Sequence, residues 1–229
     1  MYEELRKKVL KANKMLPEYG LVSFTWGNVS EIDRKEGIIA IKPSGIEYDE
    51  MTEDDIVIVD INGAKIWGDR KPSSDLLTHI VLYRSFKNIG GVTHTHSSWA
   101  TAWAQSGLDI PALGTTHGDY FYGDIPCTRR MTEREIVDNY EENTGVVIAE
   151  RFKNINEDTM PAVLVNCHGV FTWGRDAVKS VENAAVLEEV AKCAYASEQL
   201  RGNNAEKMDK ALLDKHYLRK HGDNAYYGQ

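Results

Sequence analysis

A short hairpin pattern constrains the fold of this chain more than any other feature of its sequence. Two β-prone runs, 56–59 (IVIV) and 64–67 (AKIW), flank the dipeptide Asn62-Gly63. Asn-Gly favours the tight turn whose twist matches that of two adjacent antiparallel strands. Further apolar runs at residues 38–41 and 162–168 predict buried strands. We therefore expect a central sheet that is mostly antiparallel.

Segments with helical periodicity alternate with these strands. Residues 3–16 place apolar side chains at helical spacing and charged ones elsewhere, which is typical of an amphipathic helix. A second predicted helix begins after Ser73 or Ser74. Three more predicted helices cover residues 99–104, 132–149 and 179–200. A strand at 92–96 leads into the helix at 99–104. This order of elements predicts an α/β fold, one domain over residues 1–229, with helices on both sides of the sheet.

The charge balance argues against one broad class of partner. The chain has 27 basic and 35 acidic residues, hence a net charge of −8, whereas proteins that bind nucleic acid concentrate Lys and Arg against the phosphate backbone. The N-terminal segment mixes both charge signs, and no run of about 18 apolar residues suggests a membrane span. Three cysteines without paired, metal-type spacing do not predict a disulfide framework. We expect a cytoplasmic protein that binds neither nucleic acid nor membranes.

Two histidines at strand spacing form the first candidate site. Alternate residues of a strand share a face, so His94 and His96 can approach one cation together. The pair is equally compatible with histidines that end a strand and bond to backbone groups. A catalytic zinc usually has three protein ligands, and the third would be one of His79, His117, His168, His216 and His221. His168 is favoured because it ends an apolar run and precedes Gly169, where backbone can approach closely.

A second group of residues has the chemistry of a phosphate site. Small residues expose backbone N–H groups, serine hydroxyls add donors, and a helix N-terminus adds partial positive charge. These features occur at Gly27-Asn28, Ser44-Gly45 and Ser73-Ser74, and Lys42 adds a cation. Each dipeptide alone is also typical of an ordinary turn or helix cap. Together they favour a sugar-phosphate pocket, in which Asp75, in the first turn of the predicted helix, would serve as metal ligand or base.

Asp119 and the tyrosines of the tail are further candidates, and the sequence leaves two interpretations open for each. Asp119 lies in a polar segment, where it is either a solvated loop acid or an acid/base group. Tyr226-Tyr227 can anchor the tail to an apolar surface or exchange protons near a cation. The five tryptophans are interpreted as core or interface residues. None of these features assigns a reaction by itself.

Several motifs together carry a resemblance to a known enzyme family. They are 25–30 (TWGNVS), 41–45 (IKPSG), 71–75 (KPSSD), 93–97 (THTHS), 114–123 (GTTHGDYFYG), 213–222 (LDKHYLRKHG) and 225–229 (AYYGQ). With these motifs the chain resembles the L-ribulose-5-phosphate 4-epimerases of the class II aldolase/epimerase superfamily, nearly from end to end. It departs from the family pattern at Gly118, where Ala is expected, and at Asn166-Cys167, where His-Ser is expected.

The resemblance implies a zinc site, an acid/base pair and a substrate site. The implied metal ligands are His94, His96 and His168, with Asp75 close to the metal or among its ligands. Asp119 and Tyr227 would act as the acid/base pair and would come from a neighbouring subunit of a homotetramer. The residues implied to line the substrate site are Gly27, Asn28, Lys42, Ser44, Gly45, Ser73, Ser74, Thr115, His216 and Arg219.

The implied reaction is the zinc-dependent epimerisation of L-ribulose 5-phosphate to D-xylulose 5-phosphate at C4, by retro-aldol cleavage and aldol recombination. It would belong to carbohydrate metabolism, with arabinose catabolism expected and an ascorbate-type pathway left open. The nearest alternative is a sugar-phosphate aldolase of the fuculose-phosphate type, in which the pattern has Glu where this chain has Asp75. A second alternative is a non-catalytic protein that binds a metal or a sugar phosphate, and it would not need Asp119 or Tyr227.

Overall fold

The strands form one sheet at the centre of the molecule. They are β1 (Asn28–Asp33), β2 (Ile38–Ile41), β3 (Val57–Asp60), β4 (Lys65–Trp67), β5 (Gly91–Thr95), β6 (Ala162–Leu164) and β7 (Val170–Gly174). Their order is β4-β3-β2-β1-β5-β7-β6, and every neighbouring pair is antiparallel. The structure, a computed structural model, describes residues 1–227, so Gly228 and Gln229 of the last motif lie outside it. The predicted antiparallel sheet and its β3–β4 hairpin are confirmed.

Helices cover both faces of this sheet. They are α1 (Glu3–Glu18), α2 (Leu76–Ser85), α3 (Ser98–Ser106), α4 (Thr115–Gly118), α5 (Glu133–Val137), α6 (Tyr140–Arg151), α7 (Ala177–Leu200) and α8 (Lys210–His221). α1 and α7 pack on each other, as do α2 and α6. Within residues 1–227, no helix has both the length and the apolar character that crossing a membrane would require.

Successive residues of the central strands pack into two separate apolar clusters. In β2, Ile39 joins a cluster that includes Ile80 of α2, whereas Ile38 and Ala40 join one that includes Leu16 of α1. The alternation follows from strand geometry, since neighbouring side chains point to opposite faces of a sheet. A continuous apolar run is therefore what a strand covered on both faces requires. The prediction of helices on both sides of the sheet is confirmed.

Strand β5 lies between β1 and β7 and carries the first candidate ligand. His94 is paired in register with Asn28 of β1 and with Phe171 of β7, and directly paired residues project to the same face. The start of β5 is packed closely, because a Cβ on Gly91 would lie 2.3 Å from the carbonyl oxygen of Asp176, just before α7. Only glycine permits this approach. The strand that carries His94 is thus held at its start and on both sides.

The apolar run at 162–168 is shorter as a strand than predicted. β6 ends at Leu164, and the chain then turns, with the N–H of His168 donating to the carbonyl of Val165 at 3.0 Å. Cys167 within this turn has a positive φ of 62°. The turn joins β6 to β7, and the two strands pair antiparallel. Strand β7 was not predicted. His168 therefore lies in the β6–β7 turn and not at the end of a strand.

Two helical segments also differ from the prediction. Residues 132–149 form α5 and most of α6 instead of one helix, because the backbone of Asn139 adopts a left-handed conformation with φ of 55°. The side chain of Asn143 donates to the carbonyl of Asp138 and stabilises this break. The tail, for which no helix was predicted, forms α8, which packs on α4. α8 bears on the site because it carries the candidate residues His216, Arg219 and His221.

Candidate metal centre and active site

One open cavity of about 530 Å³ brings together most of the residues predicted for the metal and substrate sites. Its lining residues are Thr25, Trp26, Gly27, Asn28, Lys42, Pro43, Ser44, Gly45, Ser73, Ser74, Asp75, His94, His96 and His168. The predicted residues that do not line it are Thr115, Asp119, His216, Arg219 and Tyr227. The candidate residues therefore fall into two groups.

Three histidines form a cluster in this cavity. His94 lies on β5, His96 follows the last residue of that strand, and His168 lies in the β6–β7 turn. One ring nitrogen of each lies within 4.8 Å of the other two, and the Nε2 atoms of His94 and His96 are 3.1 Å apart. Of the histidines considered for a third ligand, His168 is the one that the fold brings to the pair.

Two contacts orient the ring of His94. Its Nδ1 donates to the carbonyl of Val170 at 2.9 Å. Because a carbonyl can only accept, Nδ1 carries a proton, and Nε2 is the ring nitrogen that faces the other histidines. The ring also stacks on Phe171, with 4.2 Å between centroids and 15° between planes. Both partners lie on β7, so the pairing of β5 with β7 sets the direction of Nε2.

The charge states of the other two rings suit a metal. Burial, with repulsion from His94, lowers the pKa of His96 to about 4, and burial with repulsion from both neighbours lowers the pKa of His168 to about 3. Both imidazoles are therefore neutral near pH 7 and retain a lone pair. The Nδ1 of His168 is buried without a hydrogen-bond partner among residues 1–227. Imidazole ligands suit Zn²⁺ and similar ions, so the residues present fit a zinc site.

Gly169 allows the β6–β7 turn to lie against the other two histidines of the cluster. A Cβ at this position would be 2.7 Å from the carbonyl oxygen of Thr95 and 3.3 Å from ring atoms of both His94 and His96. A carbon atom cannot approach a carbonyl oxygen that closely without displacing it, and packed interiors transmit such displacements. The absence of a side chain at Gly169 thus permits the histidine cluster to close.

Asp75 is the carboxylate of this cavity. It immediately precedes α2, and the side-chain amide of Asn28 donates to its Oδ2 at 2.6 Å. Burial alone would raise the pKa of Asp75, but the nearby His94 and His79 and the Asn28 amide hold it below its usual value. Asp75 is therefore ionised at neutral pH. Its bond to Asn28 restricts the directions in which the carboxylate can turn.

The two serine-containing segments predicted to bind phosphate pair with each other. The N–H of Ser44 donates to the carbonyl of Lys71 at 3.0 Å, and the N–H of Ser73 donates to the carbonyl of Lys42 at 2.9 Å. These bonds place both segments, with their hydroxyls, along the same cavity. The sequence suggested each segment separately, but the pairing between them had no local signal.

One cation and one exposed aromatic ring complete the cavity wall. Lys42 is 2% exposed, its Nζ donates to the carbonyl of Thr25 at 3.2 Å, and burial lowers the pKa of its amino group. Trp26 is 56% exposed and packs edge to face against Phe24, with ring centroids 5.5 Å apart. The sequence alone predicts a core or interface residue at Trp26. Its place in the motif at 25–30 was the one signal that linked it to the cavity.

A second cluster forms around Asp119, which follows α4 and is 8% exposed. Arg219 of α8 binds its carboxylate at two points, from Nε to Oδ1 at 3.0 Å and from Nη2 to Oδ2 at 2.8 Å. His216 Nδ1 lies 3.1 Å from Oδ1, and His221 Nε2 donates to the main-chain carbonyl of Asp119 at 2.8 Å. Asp119 is therefore not the freely solvated loop acid of the alternative interpretation.

Tyr227 belongs to the same cluster. The guanidinium carbon of Arg219 lies 4.2 Å from the centroid of its ring, and its N–H donates to the carbonyl of Arg219 at 3.1 Å. Thr115, at the exposed start of α4, is close in sequence to Asp119. The residues predicted to come from a neighbouring subunit are thus together in one place, formed by α4, α8 and the tail. The contacts between these segments had no signal in the sequence.

Solved structures of known proteins share this fold. An L-fuculose 1-phosphate aldolase matches with a TM-score of 0.79 and 24% identity, over 94% of this chain and 95% of that chain. L-fuculose-1-phosphate aldolase from Thermus thermophilus matches with a TM-score of 0.70 and 22% identity, over 89% and 100%. A sugar-phosphate aldolase from Thermotoga maritima matches with a TM-score of 0.68 and 19% identity, over 89% and 98%. At these identities the likeness shows the fold.

A family comparison covers most of the chain. Residues 7–195 match the family described as Class II Aldolase and Adducin N-terminal domain. The matched segment contains the whole sheet, the histidine cluster, Asp75 and Asp119, whereas α8 and the tail follow it. The extent of this match, together with the fold, shows that the chain belongs to the class II aldolase family.

Proposed function

We propose that this protein interconverts L-ribulose 5-phosphate and D-xylulose 5-phosphate by breaking and re-forming the bond between C3 and C4. The observation that carries the proposal is the state of Asp75. At the position where the aldolase pattern has Glu as the base, this chain has a carboxylate shorter by one methylene, and Asn28 binds it at 2.6 Å. A short, restrained carboxylate is poorly suited to reach a substrate carbon. Proton transfer then falls to other groups, and Asp119 and Tyr227 supply them.

The cavity residues would bind and orient the substrate. The three histidines would hold zinc or another divalent ion, which when bound supplies Lewis-acid polarisation of the substrate carbonyl. The hydroxyls of the two paired serine segments and the cation of Lys42 would bind the phosphate, which is an anion suited to such donors. Trp26, at the exposed side of the cavity, would cover the bound sugar and exclude water from it.

Asp119 and Tyr227 would move the protons. Inversion at C4 requires one group that takes the proton of the C4 hydroxyl and another that returns a proton after the aldehyde has turned its other face. The ionised carboxylate of Asp119 can accept a proton, and the phenol of Tyr227 can donate one from its hydroxyl. The two groups together therefore meet the requirement of a C4 epimerase for two acid/base groups. An aldolase needs only one base.

We further propose that the active site forms between subunits of a homotetramer. Within residues 1–227 of one copy, neither Asp119 nor Tyr227 is among the cavity residues. If the Asp119 cluster of one subunit meets the cavity of the next, each active site combines residues of two chains. The histidine cluster and the acid/base groups can then be inactivated separately, in different subunits.

Mixing two inactive variants tests this arrangement. Subunits with Asp119→Asn keep an intact cavity, and subunits with His94→Ala keep an intact acid/base cluster. After co-refolding in equal amounts, about a quarter of the sites in a symmetric ring should combine two intact halves and regain activity. Light scattering would verify the tetramer. Mixtures that stay as inactive as the separate variants would contradict a shared site.

A coupled assay tests the reaction itself. It follows formation of D-xylulose 5-phosphate from L-ribulose 5-phosphate by zinc-loaded protein and measures released glycolaldehyde phosphate in parallel. We expect epimerisation with little free aldehyde, because both fragments must stay bound to recombine. Net cleavage in excess of epimerisation would identify a sugar-phosphate aldolase instead. Absence of both reactions would favour the non-catalytic binding protein.

A further inference from the structure

We propose that Arg219 is a positioning residue that orients the carboxylate of Asp119 and holds Tyr227 beside it. The inference rests on the proposed function, since it concerns the two groups to which that function assigns proton transfer. It differs from the role that the family resemblance implies for Arg219, which is to line the substrate site. The contacts of its side chain and of its backbone carry the inference.

The edge of the Arg219 guanidinium is bound to Asp119. Its Nε and Nη2 donate to the two carboxylate oxygens at 3.0 and 2.8 Å. Two parallel bonds fix the rotation of a carboxylate as well as its position, which a single charged donor cannot do. The side chain of Asp119 is 11% exposed, so water screens this ion pair less than it screens a surface pair.

The face of the same guanidinium and the backbone of the same residue hold the tail. The ring of Tyr227 lies against the guanidinium at 4.2 Å, a contact in which cation and aromatic face attract each other. The carbonyl of Arg219 accepts the N–H groups of Tyr226 and Tyr227 at 2.9 and 3.1 Å. One residue thus connects the tail to a carboxylate 100 positions earlier in the chain.

The other ionisable groups around Asp119 come from the same helix and from its own segment. His216 and His221 of α8 approach its side chain and its carbonyl, respectively. His117 of α4 donates from Nε2 to the carbonyl of Gly123 at 2.7 Å. Lys220 lies over the ring of the adjacent Tyr120 at 3.3 Å. Arg219 is therefore the cation in direct two-point contact with the carboxylate.

Removal of this cation has a defined effect on protonation. Burial alone would raise the pKa of Asp119, and hydrogen bonds and charge from Arg219 and His216 outweigh it and keep the pKa below its usual value. Without Arg219 the pKa of Asp119 rises. Asp119 then becomes protonated at a higher pH than in the wild type. An activity that needs the ionised form therefore begins to fall at a higher pH as the solution is acidified.

Two substitutions at Arg219 and one control make the test. Arg219→Gln removes the charge and the two-point contact, whereas Arg219→Lys keeps a charge but donates from one point. Lys215→Gln is the matched control, because it removes from the same helix a cation that lies 5.3 Å from the ring of Tyr226. For each variant, kcat and KM are measured across the pH range, and circular dichroism reports folding.

We expect Arg219→Gln to lower kcat by about 10²-fold, the effect of misplacing a reacting group by about 1 Å, with KM near the wild-type value. The acidic limb of its kcat profile should move to higher pH. Arg219→Lys should lie between this variant and the wild type, and Lys215→Gln should match the wild type. If Arg219→Gln does not fold, the inference is tested on Arg219→Lys, from its kcat and from the acidic limb of its pH profile.

A wild-type kcat and pH profile in the deciding Arg219 variant would overturn the inference. A loss confined to KM would also overturn it, since that result would indicate contact with substrate. Asp119→Asn distinguishes the inference from the proposed function. If Asp119→Asn is fully active, the proposed function fails. If Asp119→Asn is inactive while the Arg219 variant behaves as wild type, only the role of Arg219 fails.

Discussion

Replacement of Asp119 by Asn is expected to lower kcat for C4 epimerisation by about 10²- to 10⁴-fold, the usual contribution of an acid/base group. Asn has nearly the same shape as Asp, but its amide cannot take up the proton of the C4 hydroxyl. KM should change little, because substrate binding is assigned to the cavity residues and Asp119 is assigned to proton transfer. Steady-state kinetics of the coupled assay measure both constants.

The matched control for this variant is Asp214→Asn. Asp214 is another carboxylate that holds α8, since it accepts hydrogen bonds from Tyr122 and Lys210. Its substitution loosens the same helix without removing a proposed acid/base group, so kcat should stay close to that of the wild type. Tyr227→Phe should lower kcat for the same reason as Asp119→Asn. Wild-type turnover in both Asp119→Asn and Tyr227→Phe would refute the assigned roles.

Replacement of His94 by Ala is expected to lower the affinity for zinc by more than about 10²-fold, since loss of a residue that only orients a metal ligand already costs about 10- to 100-fold. Catalytic activity should be lost with the metal. Elemental analysis of dialysed protein gives the zinc content per subunit. The rise in melting temperature on zinc addition gives a second measure that is independent of activity.

His117→Gln is the control for the metal experiment. His117 is as buried as His94, but its Nε2 donates to the carbonyl of Gly123 and it is not part of the histidine cluster. This variant should keep its zinc. Wild-type protein treated with a chelator should lose epimerisation and recover it with zinc. One tightly held zinc per subunit in His94→Ala would show that the metal binds elsewhere.

The outline of the sheet could be predicted because its signals are local. Asn62-Gly63 specifies a tight turn through its own backbone preferences, whatever the rest of the chain does. The apolar run at Ile38–Ile41 specifies burial on both faces through the alternation of a strand. The pairing of His94 with His96 had the same origin, since two residues apart on a strand means the same side of the sheet.

Elements whose stability comes from distant partners were missed. β1 contains the buried polar residues Asn28, Ser30 and Glu31, so its composition does not resemble that of an interior strand. Each finds a partner far along the chain: Glu31, for example, accepts the N–H of Ala177 at 2.8 Å. The contact of Asp119 with α8 is of the same kind. No periodicity connects residues a hundred positions apart. The resemblance implied that Asp119 and Tyr227 act as a pair, but no local signal predicted α8 or its contact with Asp119.

The row formed by Asn28, His94 and Phe171 runs across three strands. A site arranged in this way depends on register, because a slip of one residue turns a strand's side chains to the other face. A slipped β1 would put the amide of Asn28 on the wrong side of the sheet and leave Asp75 unbound. The correct register of three strands thus orients the imidazole of His94 and also restrains the carboxylate of Asp75. A metal ion bound here would therefore meet ligands that are already positioned and would not have to organise a loose loop around itself.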